Sequence, residues 1–334
     1  MQKTISILND KMKTINWGII GCGDVTERKS GPAFNKVEYS KLFAVMRRND
    51  LKARDYAKRH NVPYWYDNAD ELINHKDINA IYIATPPSSH LEYAIKALKA
   101  NKHVYLEKPM TLNAIEAAQL CEVVASCKSK LTIAHYRRQL PMFLKVKELL
   151  DSGVIGDIRC ADITLLQPIG TDMITATEDN WRINKAIAGG GYFHDLAPHQ
   201  LDLINYLLGD YKNAHGFAVN QSETYDAEDV VNGIIELENR IPCRGLWSFN
   251  VAEKSRKDEM TIYGSLGEIQ FSLFGSEVRY TKNNTTKVYN FKHPEHIQLP
   301  MINATVNYFL NKGDNPCSAQ EGLRVMEIMD EFTS

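Results

Sequence analysis

Three ionisable side chains of this sequence could together move a proton and steady a charge. Lys108 lies in the run Glu107-Lys108-Pro109, and Asp195 and His199 stand four residues apart in a probable helix. Side chains four apart on a helix share one face, so both could reach the same hydroxyl. Oxidation of an alcohol needs a base for the hydroxyl proton and a group that stabilises the developing alkoxide. The alternative is an exposed lysine and a surface or capping pair.

A glycine pair near the N-terminus indicates a nucleotide site. Gly21 and Gly23 follow the first apolar run directly, and Asp24 and Val25 come next. Such a turn lets backbone amides approach a pyrophosphate, so we expect these four residues to bind a dinucleotide cofactor. Thr26 stands where the full pattern has a third small residue, and the motif alone could therefore be a plain turn.

Two arginines, Arg47 and Arg48, follow the second apolar run at the position where NAD-binding proteins carry an acid. An acid there bonds the ribose 2′-hydroxyl, whereas a guanidinium pairs with a 2′-phosphate. NADP is therefore the expected cofactor, with both arginines as ligands. NAD stays open, because Asp50 could supply the acid and the arginines could merely solvate a helix start.

In this order, the motifs resemble those of the Gfo/Idh/MocA family of nicotinamide-dependent oxidoreductases. The resemblance runs from about Met12 to the C-terminus. Besides the glycine turn it rests on Ala84-Thr85-Pro86-Pro87-Ser88-Ser89-His90, Glu107-Lys108-Pro109, Gly189-Gly190-Gly191-Tyr192-Phe193-His194-Asp195-Leu196-Ala197-Pro198-His199 and Gly264-Ser265-Leu266-Gly267.

The resemblance implies a catalytic assignment. His199 is the expected proton acceptor, Asp195 orients the substrate and tunes the charges, and Lys108 is a cation shared between cofactor and substrate hydroxyl. A cis peptide before Pro109 would hold the lysine toward the nicotinamide. The glycines before Asp195 would allow close approach of the backbone to a ligand.

Further contacts are expected around these three residues. Tyr136, in the run Tyr136-Arg137-Arg138, is the expected additional substrate contact, and the loop 167–185 is the expected source of specificity. The remaining cofactor contacts are expected from Thr85, Pro86, His90, Glu107, Lys108, Trp181 and Arg182. The pair Trp181-Arg182 could instead be a buried tryptophan and a surface arginine that do not contact the cofactor.

The elements that must position these residues alternate in the first part of the chain. Short apolar runs at 15–20, 42–46, 80–84, 103–106 and 131–134 are separated by segments with helical spacing at 51–59, 91–100 and 114–127. This alternation predicts an α/β Rossmann domain over residues 12–130, with a doubly wound parallel sheet.

The second part, 131–334, is predicted to form an α+β substrate-binding domain. Strands at 158–166, 230–237, 243–249, 260–263, 269–273 and 287–291, mostly without helices between them, predict a large antiparallel sheet with one open face. Helices are expected at 141–150, 197–208, 301–310 and 319–332, and the last two could pack back on the first domain. A homodimer or homotetramer through the open face, exposing Leu246, Phe249 and Ile262, is the expected assembly.

Composition excludes several classes of protein. The 39 basic and 41 acidic residues of the 334 give a net charge of −2, which argues against nucleic-acid binding. No apolar run of about 18 residues indicates a membrane span, and we expect a cytoplasmic protein. Six scattered cysteines without a CxxC pair predict reduced thiols and no metal site. Residues 1–11 are read as an extension without assigned function.

The sequence therefore predicts an NADP(H)-preferring oxidoreductase that transfers hydride between nicotinamide and a secondary alcohol or carbonyl of a sugar, polyol or related small molecule. Two alternatives remain. One is a sugar- or cofactor-sensing regulatory protein on the same scaffold, against which the retention of Lys108, Asp195 and His199 argues. The other is a reductase or dehydrogenase of a non-sugar ring, such as a dihydrodiol.

Overall fold

The computed structural model describes residues 13–171, 173 and 180–334, so the extension 1–11 and the middle of the loop 167–185 lie outside the described residues. The first domain contains a parallel sheet of six strands in the order β3-β2-β1-β4-β5-β6. This is the order of a doubly wound dinucleotide-binding sheet. Its strands are β1 (Ile15–Ile20), β2 (Ser40–Met46), β3 (Tyr64–Tyr66), β4 (Ala80–Ile83), β5 (His103–Leu106) and β6 (Leu131–Ile133).

Burial on both faces explains why these strands are continuous apolar runs. Every residue of β4 is buried, and β1 has only one residue that is not fully buried. The helices are α1 (Asp24–Arg28), α2 (Asp50–Arg59), α3 (Ala69–Ile73), α4 (His90–Lys99), α5 (Ala114–Ser126), α6 (Pro141–Asp151), α7 (Lys185–Ala188), α8 (Tyr192–Leu208), α9 (Leu299–Phe309) and α10 (Ala319–Thr333).

The sequence pattern missed one strand and misplaced one boundary in this domain. Strand β3 is a three-residue edge strand with Tyr64 and Trp65 exposed, so it carries no buried apolar run. Strand β6 pairs with β5, so the first sheet continues to Ile133, beyond the predicted domain end at residue 130.

The second domain is built on a sheet of eight strands in the order β14-β13-β12-β11-β7-β10-β9-β8. All neighbours are antiparallel except β7 and β10, which run parallel, so the predicted mostly antiparallel sheet is confirmed. The strands are β7 (Ile158–Leu166), β8 (Tyr211–Val219), β9 (Val230–Leu237), β10 (Pro242–Ser248), β11 (Lys257–Gly264), β12 (Glu268–Phe271), β13 (Glu277–Lys282) and β14 (Thr285–Asn290). The pattern missed β8 and β13, which are mostly exposed or half-buried.

One face of this sheet packs on α8 and α10. The ring of Phe332 lies 5.9 Å from that of Trp247, and Phe193 contacts Trp247 at 5.2 Å. The prediction that Phe249 and Ile262 would be exposed is wrong, because both side chains lie on this covered face and are 1% exposed. Half-buried Leu246 lies opposite Asn232, on the other face of the sheet.

Helix α10 and the residues just before it contact the first domain. Asp330 of α10 accepts a hydrogen bond from the backbone amide of Ala114 at the start of α5, at 2.8 Å. The backbone amide of Ile133 in β6 donates to the carbonyl of Cys317 at 3.0 Å. Among residues 13–171, 173 and 180–334, no helix is both long and apolar enough to cross a membrane.

Candidate active site

The glycine turn lies at the carboxyl end of β1 and is packed against the loop after β4. Gly21 has a φ of +93°, and a Cβ there would lie 2.8 Å from the backbone nitrogen of Thr85 and 2.9 Å from the carbonyl carbon of Ala84. No side chain fits without moving that loop. A Cβ on Gly23 would instead have only the carbonyl oxygen of Gly21 within reach, at 4.0 Å, so the space beside this backbone is open.

Thr26 replaces the third small residue of the motif without disturbing the turn. It is buried, its hydroxyl donates to the carbonyl of Gly23 at 2.7 Å, and its own carbonyl accepts from the hydroxyl of Tyr56 at 2.8 Å. Helix α1 ends two residues later, at Arg28. The Thr26 hydroxyl is satisfied by the main chain, so the incomplete motif still forms a turn of the expected shape.

Arg47 and Arg48 follow β2 directly, beside the glycine turn. The guanidinium of half-buried Arg47 lies 3.4 Å from the carbonyl oxygen of Cys22, within the turn, while Arg48 is exposed. Asp50 is the first residue of α2, whose N-cap is the side chain of Asn49. The side chain that reaches the turn is thus an arginine.

The buried ring of His90 contacts the loop after β4. Thr85 accepts a hydrogen bond from the Ser89 hydroxyl, and Pro86 begins the turn that leads into α4. His90 is fully buried, with Nε2 at 2.8 Å from the carbonyl oxygen of Thr85 and Nδ1 at 3.0 Å from that of Pro109. Burial lowers its pKa. Both ring nitrogens face main-chain carbonyls, so the ring lies between the loops after β4 and β5, a neutral imidazole can donate to one of the two carbonyls, and neither nitrogen points to the predicted cofactor contact.

Glu107 is similarly engaged by the protein. One carboxylate oxygen accepts from the hydroxyl of Tyr82 and from the side-chain amide of Gln298 at 2.7 Å, and the other lies 3.2 Å from the backbone amide of Lys108. Three donors suit a group that only accepts when ionised. Glu107 therefore fixes the base of the loop that carries the catalytic candidate Lys108.

Lys108 meets Asp195 across the cleft between the domains. The peptide bond between Lys108 and Pro109 is cis, as the family resemblance implies. The ammonium donates to the Asp195 carboxylate at 2.7 Å and to its main-chain carbonyl at 2.6 Å. The lysine side chain is 11% exposed and the aspartate 20%, so the pair borders the cleft and is largely shielded from solvent.

Arg182 is a second cation on Asp195. It lies in the short 3-10 turn Trp181–Ile183, its guanidinium stacks on Trp181 at 4.5 Å, and its Nε donates to the other carboxylate oxygen at 3.1 Å. Burial alone would raise the pKa of Asp195, but the Lys108 and Arg182 charges outweigh it and hold that pKa below its usual range. Arg182 is 7% exposed, so it is not a surface arginine.

His199 lies one turn after Asp195 on α8 and is 4% exposed. The ring of Tyr136 packs edge-on against it at 5.2 Å, which brings the predicted additional substrate contact beside the predicted base. Burial, followed by the charges of Lys108 and Arg137, lowers the pKa of His199 well below its ordinary value. The imidazole is therefore neutral at physiological pH and has a lone pair that can accept a proton.

Helix α8 begins five residues earlier than predicted, at Tyr192, so Asp195 and His199 both lie on it. The preceding glycines serve protein packing. A Cβ on Gly189 would lie 2.7 Å from the carbonyl oxygen of Leu112, and one on Gly190 would lie 2.0 Å from the ring of His194. The close approach that we expected toward a ligand is made toward these protein groups.

Sequence reasoning missed a buried ion-pair network behind His199. Arg138 forks onto Asp202, three residues beyond His199, with its Nη2 at 2.7 Å from the carboxylate. Arg138 also pairs with Glu321 of α10, and the side chain of His135 lies beside Asp202. The spacing of His199 and Asp202 could have indicated that Asp202 lies on the helix face of His199, because residues three apart share a helix face.

The carboxyl edge of the first sheet suits a dinucleotide cofactor. Open backbone at Gly23 fits a pyrophosphate, the guanidinium of Arg47 fits a further phosphate, and Lys108 stands at the far end of the same edge. The carboxylate at this edge, Glu107, has its oxygens engaged by protein donors. Within the described ranges, no group of three or more His, Cys, Asp or Glu side chains could hold a metal ion.

Two family models match the chain. Residues 15–135 match the model of the Gfo/Idh/MocA oxidoreductase family with an NAD-binding Rossmann fold, and residues 143–270 match the model of the Gfo/Idh/MocA C-terminal domain. Together they cover both sheets up to β12.

Individual proteins show the same relationship. The chain is 50% identical to oxidoreductase P35 of Formosa agariphila, over 95% of this chain and 98% of that protein. It is 26% identical to myo-inositol 2-dehydrogenase of Thermotoga maritima, over 80% of this chain and 75% of that protein. A solved levoglucosan dehydrogenase, in complex with NADH and levoglucosan, superposes with a TM-score of 0.85 at 20% identity, covering 96% of each chain, which shows a shared fold.

Proposed function

Because the chain belongs to the Gfo/Idh/MocA family of NAD(P)-dependent oxidoreductases, we propose that it transfers hydride between NADP(H) and a secondary alcohol or carbonyl of a sugar, polyol or related small molecule. The observation that carries the proposal is that Lys108 of the first domain pairs with Asp195 of the second, with buried His199 one helical turn further along α8. These side chains come from two domains and lie beside the edge that suits the cofactor.

In alcohol oxidation, His199 takes the hydroxyl proton. Its lowered pKa keeps the ring neutral, and its burial beside Tyr136 shields the proton transfer from bulk water. The bound nicotinamide supplies the hydride acceptor, or the hydride donor in the reverse reaction. In carbonyl reduction, the same histidine returns the proton.

Lys108 stabilises the negative charge that develops on the substrate oxygen. Its ammonium is held by the Asp195 carboxylate and carbonyl, so it is in place before the substrate arrives. Asp195 in turn stays ionised because Lys108 and Arg182 flank it. The carboxylate orients both the lysine and the substrate hydroxyl.

The preference for NADP is supported by the side chains at the end of β2. Arg47 reaches over the glycine turn and Arg48 extends from the next position, where an acid would be needed for NAD. Asp50 is displaced into the first turn of α2. A guanidinium at this place favours a 2′-phosphate.

The sugar or polyol substrate is supported by the relative named myo-inositol 2-dehydrogenase, which is 26% identical to this chain. A substrate with adjacent hydroxyls suits a site where a neutral histidine and a carboxylate lie one turn apart on α8 and an ammonium pairs with that carboxylate. Tyr136 and Arg182 are the further side chains that we expect against the substrate ring.

A homodimer or homotetramer through the open face of the second sheet completes the proposal. Phe217 and Ile234 are 59% and 58% exposed there, and a cavity of about 520 Å³ on this face is lined in part by Ile234, His215 and Arg244. A large apolar patch on one face of a sheet is typical of an association surface.

Cofactor choice is the first test. We expect nicotinamide fluorescence to report micromolar NADPH binding and much weaker NADH binding. Replacing both arginines, in Arg47→Ala/Arg48→Ala, should weaken NADPH binding at least tenfold and leave NADH binding little changed, because only NADPH carries the 2′-phosphate that they are proposed to bind. Equal loss for both cofactors, or wild-type preference for NADH, would contradict the NADP assignment.

The reaction class needs a separate assay. With the oxidised form of the cofactor that binds more tightly, we expect polyols or sugars to reduce the nicotinamide. The absorbance of the reduced nicotinamide measures the rate. Turnover of aromatic dihydrodiols and not of polyols would move the substrate to a different chemical class.

A further inference from the structure

A short segment after β14 returns from the second domain to the cofactor edge of the first. Nδ1 of His296 lies 2.7 Å from the carbonyl oxygen of Arg28, and the backbone amide of Gln298 donates to the carbonyl of Lys29 at 3.1 Å. Glu295 adds an ion pair with Lys36 at 3.0 Å. The segment 295–298 therefore holds the C-terminal end of α1, the helix that begins at the glycine turn.

The side chain of Gln298 also bonds strand β5 and the loop that follows it. Its Nε2 donates to the Glu107 carboxylate at 2.7 Å, and its Oε1 accepts from the hydroxyl of Tyr105 at 3.0 Å. Gln298 is 1% exposed, so these bonds are made without competition from solvent. One residue thus bonds both the end of α1 and the loop after β5.

Helix α1 and the loop after β5 lie on either side of the proposed cofactor position. The glycine turn at the start of α1 faces the pyrophosphate in the proposed binding mode, and Glu107 precedes Lys108, which faces the nicotinamide end. The Glu107 carboxylate also accepts from the backbone amide of Lys108. A shift of the carboxylate would therefore move the base of the catalytic lysine.

We propose that Gln298 is a positioning residue, which fixes the spacing between the glycine turn and Lys108 and so matches the protein to the length of the bound dinucleotide. This inference rests on the proposed placement of the cofactor along the carboxyl edge of the first sheet. An amide suits the role because it donates to Glu107 and accepts from Tyr105 at once.

The variant Gln298→Glu tests the proposal through a pH profile. It places two carboxyl groups within hydrogen-bond distance, and two such groups cannot both ionise readily, so they share a proton at low pH and lose it as pH rises. We expect NADPH affinity close to wild type at pH 6 and at least tenfold weaker, relative to wild type, at pH 9. Titration of nicotinamide fluorescence at each pH measures this ratio.

The chain offers a matched control. Gln270 donates to Glu259 at 2.7 Å between β12 and β11, away from the cofactor edge. Gln270→Glu also places two carboxyl groups within hydrogen-bond distance, in a half-buried site beside Lys257, and its NADPH affinity should follow wild type at every pH. Gln298→Ala adds no charge, and should weaken NADPH binding about tenfold at every pH, since it removes a hydrogen bond to a charged group.

Different outcomes would overturn the role of Gln298 and the proposed function. A folded Gln298→Glu variant whose NADPH affinity tracks wild type across pH, or a Gln270→Glu control with the same pH dependence, would overturn the role of Gln298 alone. Should Gln298→Glu fail to fold, an unchanged NADPH affinity in Gln298→Ala would do so. Wild-type protein that binds neither dinucleotide would overturn the proposed function and this inference with it.

Discussion

The chemistry of single residues in this protein depends on buried charges that oppose one another. Asp195 is flanked by Lys108 and Arg182, which lower its pKa although burial would raise it. His199 experiences burial and the positive charges of Lys108 and Arg137, all of which lower its pKa. Asp195 and His199 thus carry different charges one turn apart on α8, an ionised carboxylate and a neutral imidazole.

We predict that the base in alcohol oxidation does not titrate near pH 6.5. Since the pKa of His199 lies well below that value, the ring stays unprotonated as pH falls through 6.5, and kcat/KM should show no acid limb there. The measurement is the pH profile of kcat/KM for the best alcohol. An acid limb centred near 6.5 would mean that His199 has an ordinary pKa.

Removal of His199 or Lys108 should abolish most of the activity. We expect His199→Gln and Lys108→Met each to lower the rate of hydride transfer by about a hundredfold or more, the usual cost of losing a positioned acid–base or charge-stabilising group. His293→Gln, which alters a histidine bonded to the carbonyl of Gly275, is the control. Wild-type rates in either site variant would remove the catalytic assignment.

At the scale of elements, turns and helix starts decide where the reactive groups stand. The glycine turn is specified by Gly21, whose positive φ and contact with the loop after β4 exclude a side chain. Helix α8 begins at Tyr192, directly after its N-cap Gly191, and Asp195 in its first turn lies beside Lys108. A small shift of the glycine turn or of α8 would change the distance between the cofactor edge and Asp195.

The two glycines of the turn should respond differently to alanine. Gly21→Ala forces a Cβ against the backbone of Thr85 and Ala84 at a φ of +93°, so we expect a loss of roughly 1–3 kcal/mol of unfolding free energy. Gly23→Ala faces open space and should change that free energy by less than about 0.5 kcal/mol. Urea unfolding measures both.

Cofactor binding adds a second expectation for this pair. If the pyrophosphate lies against the backbone at Gly23, the stable Gly23→Ala variant should still bind NADPH more weakly than wild type, because the new methyl group occupies that space. Undiminished NADPH affinity in a stable Gly23→Ala protein would place the pyrophosphate elsewhere.

At the scale of the whole molecule, the second sheet has one face covered by α8 and α10 and one face without a covering element within the described chain. Phe217 and Ile234 expose apolar surface on the open face, beside the Asp162–Arg244 ion pair. Burial of this face in an oligomer would also fix the sheet that supports α8.

We predict that Ile234→Arg dissociates the oligomer. A charge at the centre of an apolar interface is left without a partner on association, so the variant should scatter light as a particle near 37.9 kDa, while wild type gives two or four times that mass. Leu51→Arg, at a residue 75% exposed on α2, should leave the mass unchanged. A wild-type mass of 37.9 kDa at micromolar concentration would remove the oligomer proposal.

Much of the fold could be predicted because burial leaves a periodic record in the sequence. Strands β1, β5, β7 and β9 lie at the predicted residues, since each carries the apolar pattern that its buried faces require. Strands β3, β8 and β13 were missed because their side chains are largely exposed or half-buried. The exposure of Phe249 and Ile262 was wrong because the pattern reveals a two-faced strand but not which face meets a helix.

The sequence by itself determined the strand–helix alternation of the first domain, the glycine turn, the arginines after β2 and the residue types available for catalysis, because these follow from local propensity and motif chemistry. Only the tertiary structure decided that the His90 ring lies between two loops, that Arg182 joins Lys108 on Asp195, and that Gln298 bonds both Glu107 and the end of α1. These contacts link residues far apart in the chain. Their partners are chosen by packing, which depends on the whole fold and leaves no periodic signal in the sequence.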